Sequence, residues 1–285
     1  MNLQQYISDF AAIHDCITGI TDAAPLPYSS GFVPFVNSDI RKRTDPTAIL
    51  PHAKSIIMLG MPYAVIPDNG PVPDNAGLIA AFASGEDYHT RLRSLLKSLV
   101  VALSEHYAFK YKILVDSPFL DERALAVRGR LGFYGRNGLV IAKNIGSRFN
   151  IGCLVTDIPY EINATPLPIP NACPEDCHRC IKACPTGAIT EKGVSHCISY
   201  LTQKSTLSPA ETQLLGRHLY GCDICQAVCP HNGDWPTPWA YPENWLTMTD
   251  DALKSTYSHT PMLWQGLDIL RRNAAIVANN LRYNQ

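Results

Sequence analysis

Eight of the ten cysteines crowd into the stretch from Cys173 to Cys229. Four stand in ACPEDCHRCIKACP as Cys173, Cys177, Cys180 and Cys184, with Pro185 next. Three stand in GCDICQAVCP as Cys222, Cys225 and Cys229, with Pro230 next, and Cys197 lies between the runs. Clustered thiols, in a chain whose opening MNLQQYISDF lacks the form of a secretory signal, point to metal or redox chemistry rather than to disulfides. A [4Fe-4S] cluster takes four thiolates, so eight cysteines suit two clusters and the transfer of electrons.

The run C-x2-C-x3-C-P occurs twice, which is the spacing of bacterial two-cluster ferredoxins, where the cysteine before proline crosses to the other cluster. Applied here, one cluster takes Cys173, Cys177, Cys180 and Cys229, and the other takes Cys222, Cys225, Cys197 and Cys184. A short C-x2-C turn lets two thiolates converge without a long chain excursion. Proline after the last cysteine fits a helix start, where its fixed φ and missing N–H are tolerated. The spacing from Cys173 to Cys177 is C-x3-C, one residue longer than the ferredoxin run, and a loop at Pro174 can absorb it. Zinc sites also use C-x2-C but usually pair two such knuckles. Cys16 and Cys153 stand alone and read as ordinary core thiols.

These loops need a scaffold. With 285 residues, 46% hydrophobic and 17% charged, the chain has the composition of an ordinary globular protein with room for a sizeable core. It has no apolar run near the roughly 20 residues of a membrane helix, so a cytoplasmic protein without membrane contact is expected. The formal charge of −1 argues against a protein held to nucleic acid mainly by phosphate contacts, while leaving a local basic face open.

Apolar residues at helical spacing (Leu3, Tyr6, Ile7, Phe10, Ala11) predict an opening helix within residues 2–20. Ala23 to Pro34 reads as loop, Asp45-Pro46 as a capped helix start, and Ser55 to Met61 as a strand apolar on both faces in a covered sheet. A proline-rich loop, Pro67 to Pro73, precedes a helix striped by Leu92, Leu95, Leu96, Leu99, Val100 and Leu103. Its leading GEDYH group reads first as a solvated turn.

A strand (Lys112 to Val115), a helix (Leu120 to Leu131) and two further strands (Leu139 to Ala142, Ile151 to Thr156) follow. Asp116, just past a strand end, is placed either to face a ligand or to cap a helix. Arg136, Asn137 and Ser147 are polar groups on glycine-flanked turns. Pro159 to Pro170 reads as a linker, Pro209 to Leu219 as a helix between the cysteine runs, WPTPWAYPENW as irregular, and PMLWQGLDILRRNAAIVANNLRYNQ as one closing helix.

The pieces KRTDP, GEDYH, VDS, LGFYGRNGLVI, GSRF, HCISYLT and GCDICQAVCPHN, in this order, resemble the epoxyqueuosine reductase family, itself related to the reductive dehalogenases. The resemblance covers roughly residues 40–235. It implies an α+β protein: a cobalamin-binding, α/β-type sheet domain (1–165), a two-cluster ferredoxin-like domain (166–240) and a helical tail (241–285). The resemblance alone introduces cobalamin, since the chain has no D-x-H-x-x-G run for an axial histidine.

On the same resemblance Asp116 of VDS is the proton donor, and the corrin surroundings include Arg43, Val140, Ile151, Ser199, Cys222 and Asp223, several through backbone groups. Electrons from a reduced flavodoxin or ferredoxin-type donor would pass through both clusters. The substrate would be an epoxide in modified tRNA, in queuosine biosynthesis, or a smaller relative. Two departures are visible: Arg136 and Gly138 stand where GKNT is usual, and the chain stops after LRRNAAIVANN, as in a short member lacking the C-terminal helical-repeat domain. The competing readings are a two-cluster electron-transfer protein and a corrinoid-reducing partner, neither acting on tRNA.

Overall fold

A computed structural model describes residues 2–27, 39–63, 70–160, 173–235 and 237–283. The chain divides into two compact units, Met1–Pro62 with His89–Cys177, and Tyr63–Tyr88 with His178–Gln285.

The first unit is built on a four-stranded sheet in the order Ile17–Asp22, Ser55–Pro62, Phe149–Thr156, Tyr111–Val115, with every neighbouring pair antiparallel. Ser55–Pro62 is an inner strand and both its faces are covered, which is why its sequence is continuously apolar rather than alternating. Ile57 and Leu59, opposite Leu154 and Gly152, lie on one face. Met58 and Ile56, opposite Cys153 and Val155, belong to a core with Leu120, Leu125 and Ala126 from the other side.

The helix Tyr88–Ser104 packs on the Gly152 face. Its Leu92, Leu96, Leu99 and Leu103 are fully buried, each contributing about 1.5–3 kcal/mol. Gly152 permits the close approach, because a Cβ there would stand 2.9 Å from Leu96 Cδ1. The short helix Glu122–Arg128 covers the opposite face and begins six residues after Asp116.

The second unit has a three-stranded sheet with Gly77–Ile79 in the middle, parallel to His218–Tyr220 and antiparallel to Trp239–Ala240. Its core gathers Tyr220, Trp245, Leu253, Leu270, Ala274 and Val277. The long helix Leu267–Tyr283 does more than pack. Its buried Asn273 donates Nδ2 to the carbonyls of Thr202 (2.7 Å) and Leu219 (2.8 Å), and Arg272 donates to the carbonyls of Lys204 and Ser205. One helix thus fixes the segment following Cys197 and the strand that leads to Cys222.

Several elements differ from expectation. The opening helix ends at Ile13 and the strand Ile17–Asp22 follows. Asp15 turns the chain at φ 53°, and the β-branched Ile17, Thr18, Ile20 and Thr21 suit a pleated strand that helical periodicity hides. The stretch Pro209 to Leu219 is a helix only to Leu214, then the strand His218–Tyr220. Helix Pro242–Thr247 begins inside the stretch that reads as irregular, and helix Asp250–Tyr257 follows it. The closing helix is split: Pro261–Gln265 is a 3-10 turn, and Gly266 at φ 88° restarts the chain as Leu267–Tyr283. The expected loop from 28 to 34, part of the 67–73 loop and the linker from 161 to 170 fall outside the described residues.

Candidate functional site

The acid nominated by sequence, Asp116, is the first residue after the strand Tyr111–Val115, with φ 47°. Its side chain is 66% exposed, and Oδ2 lies 3.5 Å from Nε2 of His89, on the first turn of the long helix. The loop from Asp116 to Asp121 is tied at its far end to the helix Ile40–Thr44. Leu120 N–H donates to Lys42 O at 3.0 Å, and Asp121 N–H to Arg43 O at 3.1 Å. Asp121 is divided between two tasks: Oδ1 accepts the Ala124 N–H to cap the helix Glu122–Arg128, and Oδ2 accepts from Arg43 Nη2 at 3.2 Å.

Arg43 is buried, and desolvation pulls its guanidinium below the usual range while Asp121 partly restores it. Nominated as a cofactor contact, its side chain is engaged within the first unit. Glu122 follows directly. Its carboxyl accepts the Ser117 N–H at 3.4 Å, and burial, then the charge of Asp116, pushes it well above the carboxylate range.

Val140 is buried in the first-unit core, paired with Tyr134, and Ile151 is half-buried opposite Gly60. In the neighbouring glycine turn Asn137 Oδ1 accepts the Leu139 N–H. Among the described residues, Asn137 Nδ2 is buried without a hydrogen-bond partner. Arg136 reaches the loop that carries Cys173 and Cys177, donating Nη2 to Glu175 O at 2.8 Å and Pro174 O at 3.3 Å. Within that loop Cys177 N–H donates to Pro174 O at 3.0 Å, a turn that takes up the extra residue of C-x3-C.

In the second unit the strand His218–Tyr220 runs into Gly221, whose φ is 67° and whose N–H donates to Thr202 Oγ1 at 2.9 Å. A Cβ at Gly221 would meet Ala80 Cβ at 2.4 Å, so only glycine makes the turn that presents Cys222. Asp223 carries a carboxylate held by the Ala81 N–H at 2.5 Å and Gln226 Nε2 at 3.0 Å, and burial pushes it up to about 6. Ser199, on the helix Ile198–Leu201, accepts at its carbonyl from Thr202 Oγ1 and Gln203 Nε2.

Within the second unit Cys180, Cys184, Cys197, Cys222 and Cys225 lie close enough to influence one another. Burial pushes the Cys222 thiol up to about 12, and Cys197 and Cys184 lie near enough to add to the effect. Cys225 is raised by burial and by Cys222, Cys197 and Cys180. Burial alone would raise Cys184, but the Thr186 hydroxyl at 3.6 Å and the amides of Ala188, Thr186 and Ile189 together bring it below its ordinary value. Amides aimed at sulfur stabilise a thiolate, the form that binds iron. All eight are free of disulfides and none is fully buried. Among the described residues no three His, Cys, Asp or Glu side chains converge closely enough to grip a single ion. A four-iron cubane is larger and spreads its thiolates further apart. Cys16 and Cys153 are buried core thiols.

Sequence reading missed Glu122 and gave His89 no role. Glu122 looks like any acidic first-turn residue, and its partners only come together once the loop has folded.

Residues 173–232 match a 4Fe-4S double cluster binding domain. Together with the mixed α and β architecture, this defines a two-cluster iron-sulfur protein. Residues 43–117 match the family described as epoxyqueuosine reductase QueG, DUF1730. The epoxyqueuosine reductase of Staphylococcus aureus is 35% identical over 270 residues, which are 87% of this chain and 69% of that protein. A crystal structure of epoxyqueuosine reductase with an epoxyqueuosine-modified tRNA stem loop superposes with a TM-score of 0.85 at 28% identity, covering 98% of this chain and 82% of that one. The Bacillus subtilis enzyme, solved with its catalytic aspartate loop swung out of the active site, gives a TM-score of 0.83 at 27% identity, covering 98% and 82%. The chain belongs to the epoxyqueuosine reductase family, and is an oxidoreductase with two [4Fe-4S] clusters. No helix among the described residues is long and apolar enough to cross a membrane.

Proposed function

We propose that this protein reduces epoxyqueuosine in tRNA to queuosine, in the cytoplasm, with electrons delivered through its clusters and a proton from Asp116. The similarity across 98% of the chain to a reductase solved with its modified stem loop carries the reading. Opening the epoxide to an alkene releases its oxygen as water and consumes two electrons and two protons. Asp116 supplies one proton at the departing oxygen, and solvent supplies the other. A carboxyl acid must hold its proton near neutral pH, which burial under bound substrate and cofactor favours. His89, 3.5 Å away, keeps the carboxyl directed.

Cys222, Cys225, Cys197 and Cys184 ligate one cluster, a reading supported by the influence of Cys197 and Cys184 on Cys222 and of Cys222 and Cys197 on Cys225, with Cys180 of the other set also near Cys225. The ferredoxin spacing leaves Cys173, Cys177, Cys180 and Cys229 for the other. A flavodoxin- or ferredoxin-type protein is the electron source. Cobalamin, when bound, supplies a strongly reducing cobalt centre that the side chains cannot provide. The partnerless Asn137 Nδ2 fits such a guest, whose rim of amide carbonyls would satisfy a buried donor. In the first unit Asn137, Val140 and Ile151 would hold it.

The test is conversion of an epoxyqueuosine-containing stem loop by the reconstituted protein with cobalamin and a strong reductant. Queuosine formation supports the proposal. Reduced clusters without product would leave an electron carrier.

A further inference from the structure

We propose that Glu122 is a positioning residue: a carboxyl latch, closed on the backbone of the acid loop, that holds Asp116 where its proton is needed. The inference rests on the reading of Asp116 as the proton donor and deepens it. The loop has two residues in the left-handed region, Asp116 at φ 47° and Leu120 at φ 57°. Residues other than glycine adopt that region at a cost and persist there only where surroundings over-determine them. The Leu120 end is over-determined, by the two backbone hydrogen bonds to residues 42 and 43 and the Arg43–Asp121 pair.

At the Asp116 end, Glu122 does the corresponding work. One carboxyl accepts the Ser117 N–H at 3.4 Å, and the Asp116 amide stands near enough to favour its charged form. Within the loop, Ser117 Oγ accepts the Phe119 N–H at 3.1 Å, which stiffens the span between the two ends. The latch grips the main chain and leaves the Asp116 carboxyl, 66% exposed, turned outward.

Charge adds a second effect. The groups facing Glu122 are Asp116 and Asp121 from the loop, Arg43 from the helix Ile40–Thr44, and Cys153 from the strand Phe149–Thr156; His89 faces Asp116 from the long helix. Burial and Asp116 both favour the neutral carboxyl. A neutral Glu122 accepts the Ser117 amide without setting a second negative charge beside Asp116 when that residue has given up its proton.

Hydrogen exchange at the Asp116 and Ser117 amides, with kcat, KM and pH profile on the modified stem loop, tests the latch in the reconstituted holoenzyme. In Glu122→Ala the two amides should exchange roughly five- to tenfold faster, as loss of about one net hydrogen bond predicts. Its kcat should fall by about tenfold or more with KM nearly unchanged. Glu122→Gln keeps an acceptor oxygen, so it should restore protection and most of kcat. Being as uncharged as the protonated carboxyl it replaces, it should leave the pH profile of kcat as in wild type.

Unchanged exchange in Glu122→Ala, or a Glu122→Gln variant as impaired as alanine, overturns the latch. Should the alanine variant not fold, Glu122→Met, which fills the site without an acceptor, takes its place, and unchanged exchange in it is the negative result. Turnover retained by Asp116→Asn would sink the donor assignment while leaving the exchange result intact, so the two failures are distinguishable.

Discussion

Cys222 and Cys225 share one turn, set by a glycine that no other residue can replace, and Cys184 draws its amides from Thr186, Ala188 and Ile189, all within the five residues that follow it. Asp116, in the other unit, is a carboxylate at a strand end, and what fixes it comes from residues 42 and 43, from His89 and from the 120–122 corner. Each cysteine run is therefore shaped by short-range chain geometry and braced from a distance by Arg136, Arg272 and Asn273, whereas the acid loop is fixed by tertiary contacts. A substitution in the 40–44 or 120–122 segment should disturb the acid and spare the clusters, and one within a cysteine run should do the reverse.

The largest effect expected is that of Cys225→Ser. Losing a ligand should cost one cluster, taking iron from about eight atoms per chain to about four, and abolish turnover with the sheet unit still folded. Iron analysis and circular dichroism check this. Asp116→Asn comes next: turnover should drop by about 10²–10⁴, the usual contribution of a positioned acid, with iron content unchanged.

Arg43→Met sharpens the contrast. It leaves the Asp121 carboxylate buried without its guanidinium, which should destabilise the protein by about 3–5 kcal/mol, measured by denaturant unfolding, while visible absorption of the clusters stays as in wild type.

What was legible follows the same division. The cluster ligands could be proposed from spacing because a cubane needs thiolates from tight turns, and those turns leave a record in x2 and x3 intervals. Strand Ser55–Pro62 and the leucine stripe of Tyr88–Ser104 were legible for a similar reason, since burial writes periodicity. Ile17–Asp22 and His218–Tyr220 were not, being short strands joined to helices with no punctuation strong enough to separate them. Asp116 was visible only as a residue at a strand end until family resemblance singled it out. Glu122 stayed hidden because its meaning lies in two backbone amides and an enclosed carboxyl.

The smallest effect concerns the segment between the cysteine runs. Glu211 closes a capping box with Ser208 and pairs with Lys204 at 2.6 Å, and these bonds hold its carboxyl at about 2, against an ordinary value near 4.5. A depressed folded-state value means that its stabilisation is complete above the ordinary value and is lost as pH falls from there through about 2. Glu211→Gln should flatten that acid limb in a series of melting temperatures, leaving iron content and turnover at neutral pH unaltered. Loss of a cluster in this variant would show that the cysteine runs also depend on this cap.

The central claim is that electrons held on the clusters and the proton held on Asp116 meet at one epoxide. Pre-reduced holoenzyme, freed of external reductant under anaerobic conditions and mixed with the epoxyqueuosine stem loop, tests it most directly by following cluster absorbance and product together. The clusters should reoxidise as queuosine forms, one product for two electrons, in the wild type and not in Asp116→Asn. Product without cluster reoxidation, or product from Asp116→Asn at the wild-type rate, would contradict it.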